Sequence, residues 1–154
     1  MTDRPPLQDP RKQYPAPPFP EQPQAMPGLA RKMDPVPDHG EESYRGSGRL
    51  QGRKALVTGG DSGIGRAAAI AFAREGADVA ISYLPEEEAD AKEVIALIEA
   101  EGQKAIALPG DIKDEAWCRA LVEKTINGLG ALDILVINAA RQQYREKIED
   151  LTTD

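Results

Sequence analysis

This chain of 154 residues holds one cysteine, one histidine, one tryptophan and two phenylalanines. A single cysteine, Cys118, excludes an intrachain disulfide and fits a reducing compartment. Cys118 lies in a helical pattern beside Trp117 and Leu121, so it reads as packing rather than as a nucleophile. The single histidine, His39, has no partner cluster, so no metal site is expected and the residue reads as exposed. No apolar run approaches the roughly 20 residues that cross a bilayer. The N-terminus lacks the apolar core of a secretory signal. Basic runs are missing too, and a net charge of −7 argues against nucleic acid or an anionic membrane as the main partner. A soluble, cytoplasmic protein without membrane or nucleic-acid partners is expected.

Proline is plentiful and uneven: of 13 residues, all but Pro85 and Pro109 lie between Pro5 and Pro37. Residues 1–48, rich also in Gln, Asp, Arg and Lys, cannot bury enough apolar surface to offset their ordering entropy. They form a Pro-rich arm that should be extended or disordered. Tyr14, Phe19, Met26, Leu29, Met33 and Tyr44 are apolar anchors that a plain spacer does not need. A solvated tail and an arm laid over a neighbouring subunit are therefore both open.

From Leu50 onward strands and helices alternate. The pattern predicts strands near 53–58, 78–83, 104–109 and 132–138. Helices are expected near 63–75, from Pro85 to Gly102, and near 113–127. In the last of these, Trp117, Leu121, Val122, Thr125 and Ile126 should point inward. Glu86, Glu87 and Glu88 suit a helix start, where the dipole favours negative charge. Continuous apolar strands alternating with helices imply an α/β, doubly wound Rossmann-type parallel sheet with strand order 3-2-1-4. This Rossmann-type domain spans 49–154. It reads as incomplete, truncated after the fourth strand, with Leu151–Asp154 resembling the cap of a further helix.

Thr58-Gly59-Gly60-Asp61-Ser62-Gly63-Ile64-Gly65 joins the first strand to its helix. Such a turn needs glycine because a Cβ would hold the backbone away from a pyrophosphate. The helix beginning near Gly63 offers free N–H groups and the positive end of its dipole. Three positions at the carboxyl ends of the other strands agree. Asp111, before Ile112, either accepts from an adenine amino group or caps a helix. Asn138 and Ala139 either admit a ribose or nicotinamide or simply end a strand. Tyr83 stands about 20 residues past the glycines, where an acid would hold a ribose hydroxyl and separate NAD from NADP. With no acid and no Arg there, that discriminator is silent.

These motifs together resemble the short-chain dehydrogenase/reductase family. Thr58, Gly59, Gly63 and Gly65 match its Thr-Gly-x-x-x-Gly-x-Gly pattern in full. Gly110-Asp111-Ile112 matches its adenine-contacting Asp, and Ile137-Asn138-Ala139-Ala140 matches its Asn-Asn-Ala-Gly at Asn138 and Ala139 while departing at Ile137 and Ala140. The arm, with His39-Gly40-Glu41-Glu42-Ser43-Tyr44, is similar to a bacterial general-stress or glucose-dehydrogenase-like subgroup. The resemblance implies an oxidoreductase using NAD or NADP on an alcohol or carbonyl, and a homo-oligomer, a tetramer, when complete. It implies cofactor contacts at Gly59, Asp61, Ser62, Gly63, Ile64, Gly65, Tyr83, Asp111, Ile112, Asn138 and Ala139.

The family's catalytic Ser, Tyr and Lys, with Tyr-x-x-x-Lys spacing, are expected beyond Asp154. Tyr144-Arg145-Glu146-Lys147 is one residue short of that spacing and reads as a solvated loop. These residues alone are therefore expected to lack dehydrogenase activity. The alternative is a non-catalytic dinucleotide-binding or assembly module. Methyltransferases share the doubly wound plan, but the three motifs point away from them.

Overall fold

A computed structural model describes residues 9–12, 14–25, 28–140, 146, 147 and 149. The expected cap at Leu151–Asp154 and Tyr144 of the near-miss motif lie outside them. Four parallel strands form one sheet: β1 (Lys54–Thr58), β2 (Asp78–Tyr83), β3 (Ala105–Pro109) and β4 (Ile134–Val136), in the order β3-β2-β1-β4. Three helices connect them: α1 (Gly63–Arg74), α2 (Glu88–Ala100, behind a 3-10 turn at Pro85–Glu87) and α3 (Glu115–Leu129). The expected order is the one found.

Alternation along the strands feeds two cores. Ala55, Val57, Val79, Ile81 and Tyr83 face α1 and α2, packing on Ala69, Ala73, Ala91, Val94 and Ile98. Leu56, Ala80 and Leu108 face α3, packing on Leu121 and Leu129. Strands loaded on both faces need helices on both, as a doubly wound sheet supplies. The α3 side is covered less completely near β4. Leu135, in register with Leu56, is 50% exposed.

Some expectations change. Of the residues expected inward on α3, Val122 and Ile126 are exposed while Leu129 takes the core position, because a 3.6-residue period starting at Glu115 turns them to solvent. The start itself is set by Asp114, whose carboxylate accepts from the Ala116 N–H at 2.8 Å. The fourth strand is three residues long rather than seven. Cys118 is half-buried, its thiol donating to the Ile112 carbonyl at 3.1 Å.

The second half of the arm is laid on its own domain. The Arg74 guanidinium donates to the carbonyls of Gly40, Glu41 and Tyr44 at 2.5–2.7 Å. Glu75, ending α1, accepts from the Tyr44 hydroxyl and from the Ser47 and Arg49 N–H groups. Arg66 bonds Glu41 at 2.8 Å and Glu93 at 3.0 Å. Charged and hydroxyl side chains fasten this segment. His39, expected exposed, is covered: its ring is 8% exposed and bonds Glu41 at 3.1 Å.

Candidate functional site at the glycine turn

The turn leaves β1 with Gly59 at φ +63° and enters α1 with Gly63 at φ +52°, both left-handed backbone that glycine adopts without strain. Gly59 N–H donates to the Ser82 carbonyl at 2.7 Å, so β2 anchors the turn from beneath. A Cβ on Gly65 would meet the Gly59 carbonyl oxygen at 1.9 Å, so the helix start and the turn touch backbone to backbone. At Gly63 a Cβ would meet nothing within 4 Å. The two glycines matter for different reasons: Gly65 for space, Gly63 for conformation.

Ser62 occupies the cap position of α1 with extended backbone, yet its side chain makes no capping bond. Its hydroxyl turns instead to the Asp61 carboxyl. The first N–H groups of α1 therefore keep no side-chain acceptor, and the positive end of the helix is open. Ile64 is 80% exposed beside it. Asp61 is buried, and burial first, then the charge of Asp90, lifts its carboxyl above the usual range.

The end of β4 is sewn to the turn. The Thr58 hydroxyl donates to the Val136 carbonyl and accepts from the N–H groups of Asn138 and Ala139 at 3.0 and 3.1 Å. Asn138 Nδ2 donates to the Thr58 and Gly59 carbonyls at 3.1 and 3.0 Å. Every bonding capacity of the Thr58 hydroxyl is used. Thr58→Val leaves two backbone N–H groups without their acceptor and is expected to cost about 2 kcal/mol, read as a shift in the urea midpoint. An unchanged midpoint would show that these bonds carry no net stability.

The remaining sequence candidates fall at the same end of the sheet. Asp111 is exposed after β3, its carboxylate accepting from the Lys113 N–H at 3.0 Å; Asp114 is the helix cap, so Asp111 is not. Ile112 beside it is 37% exposed. Tyr83 is only 3% exposed, and its hydroxyl donates to Glu88 at 2.6 Å. Burial first, and then Glu88, raise this phenol far above its usual range. Tyr83 thus floors the turn from the core instead of lining an open crevice. Arg66 and Glu87 were not candidates from sequence. The glutamate run signalled a helix start but not that Glu87 folds back to accept from the Leu84 N–H at 3.1 Å.

The family model of the short chain dehydrogenases matches residues 53–154. The chain belongs to that family. It is 65% identical over 136 residues to the uncharacterized oxidoreductase YhxD of Bacillus subtilis, covering 88% of this chain and 46% of that protein. General stress protein 39 of the same organism is 48% identical over 129 residues, covering 84% and 45%. A short chain dehydrogenase from Burkholderia cenocepacia, solved in complex with NADP, superposes with a TM-score of 0.59 at 48% identity, over 68% of this chain and 42% of that one. The chain spans a little under half the length of these relatives. The short-chain dehydrogenase match begins at residue 53 and leaves the arm outside. Among the described residues no helix is long and apolar enough to cross a membrane.

Proposed function

We propose that this chain is the dinucleotide-binding half of an NAD(P)-dependent oxidoreductase acting on an alcohol or carbonyl. The observation that carries the reading is the open, uncapped start of α1 set against a turn whose Gly65 leaves no room for a Cβ. Those features fit a pyrophosphate, and the NADP bound in the Burkholderia relative supports the ligand class. Gly59 and Gly65 keep the backbone low, while Ser62, Gly63 and Ile64 present main-chain donors to the phosphates. Asp61 and Tyr83 support the turn from below. Asp111 faces the adenine amino group, with Ile112 as an apolar flank, and Asn138 and Ala139 hold the nicotinamide side of the crevice.

A bound nicotinamide supplies hydride transfer; the residues here bind and orient it. They contain no Tyr-x-x-x-Lys pair, so they supply no proton relay. The complete protein is proposed to be cytoplasmic and homo-oligomeric. Titrating the purified chain with NADH and with NADPH, followed by nicotinamide fluorescence, is expected to give saturable binding without turnover of alcohols. Absence of binding to both would sink the reading. Turnover by these residues alone would sink the division of labour.

A further inference from the structure

Three carboxyl groups share the space behind the glycine turn. Asp61 and Asp90 are 2% and 1% exposed, and Asp61 Oδ2 and both Asp90 oxygens lack hydrogen-bond partners. Glu87 completes the group, raised first by burial and then by the charge of Asp61. The Tyr83 phenol faces the same cluster from β2, already bonded to Glu88. Two cations oppose it. Arg66 on α1 is committed to Glu41 and Glu93. Arg31 comes from the arm, with Nε 3.5 Å from Asp90 Oδ1, and is the only cation paired with Asp90 among the described residues.

A buried carboxylate with unsatisfied oxygens and a distant counter-charge projects its field into the low-dielectric surroundings. Here those surroundings include the turn. The arm also lines an open cavity of about 620 Å³ together with Ser62, Gly63, Ile64 and Ala67, and Asp38 and His39 belong to the same lining. Resting on the dinucleotide reading above, we propose that the arm is a working part of that site. Arg31 offsets the Asp61–Glu87–Asp90 charge and so determines how tightly the turn holds an anionic pyrophosphate. Arg31 acts through Asp90 and is a positioning residue rather than a contact.

The test titrates wild type, Arg31→Gln, Arg31→Lys, Asp90→Asn and the double variant Arg31→Gln/Asp90→Asn with NADH and NADPH at pH 7.5 and 5.5. Arg31→Gln is expected to raise Kd for both dinucleotides about tenfold at pH 7.5, and Arg31→Lys less than about threefold. The difference should narrow at pH 5.5, because burial raises the Asp61 and Glu87 carboxyls and their protonation removes part of the charge that Arg31 offsets. Asp90→Asn, which needs no cation, should bind about threefold more tightly than wild type, and the double variant should recover wild-type affinity. A purely structural role would leave neither the pH dependence nor this recovery. Unchanged Kd in both Arg31→Gln and Asp90→Asn overturns the proposal while leaving dinucleotide binding intact. Failure of wild type to bind overturns the underlying reading itself.

Discussion

Gly65→Ala is expected to lower stability by about 3 kcal/mol and to weaken dinucleotide binding roughly 100-fold. The added methyl would lie 1.9 Å from the Gly59 carbonyl oxygen and 2.7 Å from Asn138 Nδ2. Neither neighbour can yield locally. Gly59 is tied by its N–H to Ser82 and by its carbonyl to Asn138, so relief requires α1 to move off the turn. That movement takes the helix start away from where phosphate would sit. Gly63→Ala is the control: its Cβ meets nothing within 4 Å, and only its φ of +52° opposes a side chain. It should cost about 1 kcal/mol. Urea unfolding and NADH titration of both variants decide the matter. If the two substitutions behave alike, the close backbone contact at Gly65 is not what the turn depends on.

Glu75→Gln is expected to release the arm while leaving the sheet folded. The carboxylate is 4% exposed on its side chain and accepts from Tyr44, from two N–H groups and from the Arg49 guanidinium. An amide turns one of those acceptors into a donor and removes the charge that Arg49 answers. Trypsin should then cut at Arg45 and Arg49 about ten times faster, with far-ultraviolet circular dichroism nearly unchanged. An unaltered cleavage rate would show that the other fastenings, Arg74 to the Gly40, Glu41 and Tyr44 carbonyls and Arg66 to Glu41, hold the arm without Glu75. Acid should mimic the substitution. The Arg49 and Tyr44 side chains, then the Arg49 and Ser47 N–H groups, hold this carboxyl far below its ordinary value of 4.5. Its stabilisation is thus present above that value and is lost as pH falls towards the depressed one. Asp61 runs the other way: its raised carboxyl favours the folded state most below 3.8, and that benefit is lost as pH rises through its folded value.

The glycine turn and the parallel order were legible because they rest on local pattern. Val57, Val79 and Ile81 lie in unbroken apolar runs, and Gly59, Gly63 and Gly65 stand at fixed spacing. The fastening of the arm was not legible, because its bonds join residues 25 to 34 positions apart through charged side chains. Arg66, Arg74 and Glu75 look like ordinary solvated helix residues until the chain from Gly40 to Arg49 is placed on them. Tyr44 was singled out as an apolar anchor, and it does anchor the arm, though through its hydroxyl. His39 is not legible for the same reason: its ring bonds Glu41, a partner that no periodicity announces. Asn138 was readable as a position but not as a seam, since its amide serves the turn across the sheet.

That seam joins residues 80 positions apart. On a ribosome adding about 5–20 residues per second, the turn emerges roughly 4–16 s before the strand that completes it. Until then β1 has β2 but not β4, and the Gly59 carbonyl has no amide donor from Asn138. A dinucleotide stabilises only what it binds, so it can lend nothing to the nascent turn during that interval. On the dinucleotide reading, competence for the ligand is therefore expected only once about residue 139 has emerged, although most of the motif is present by residue 65.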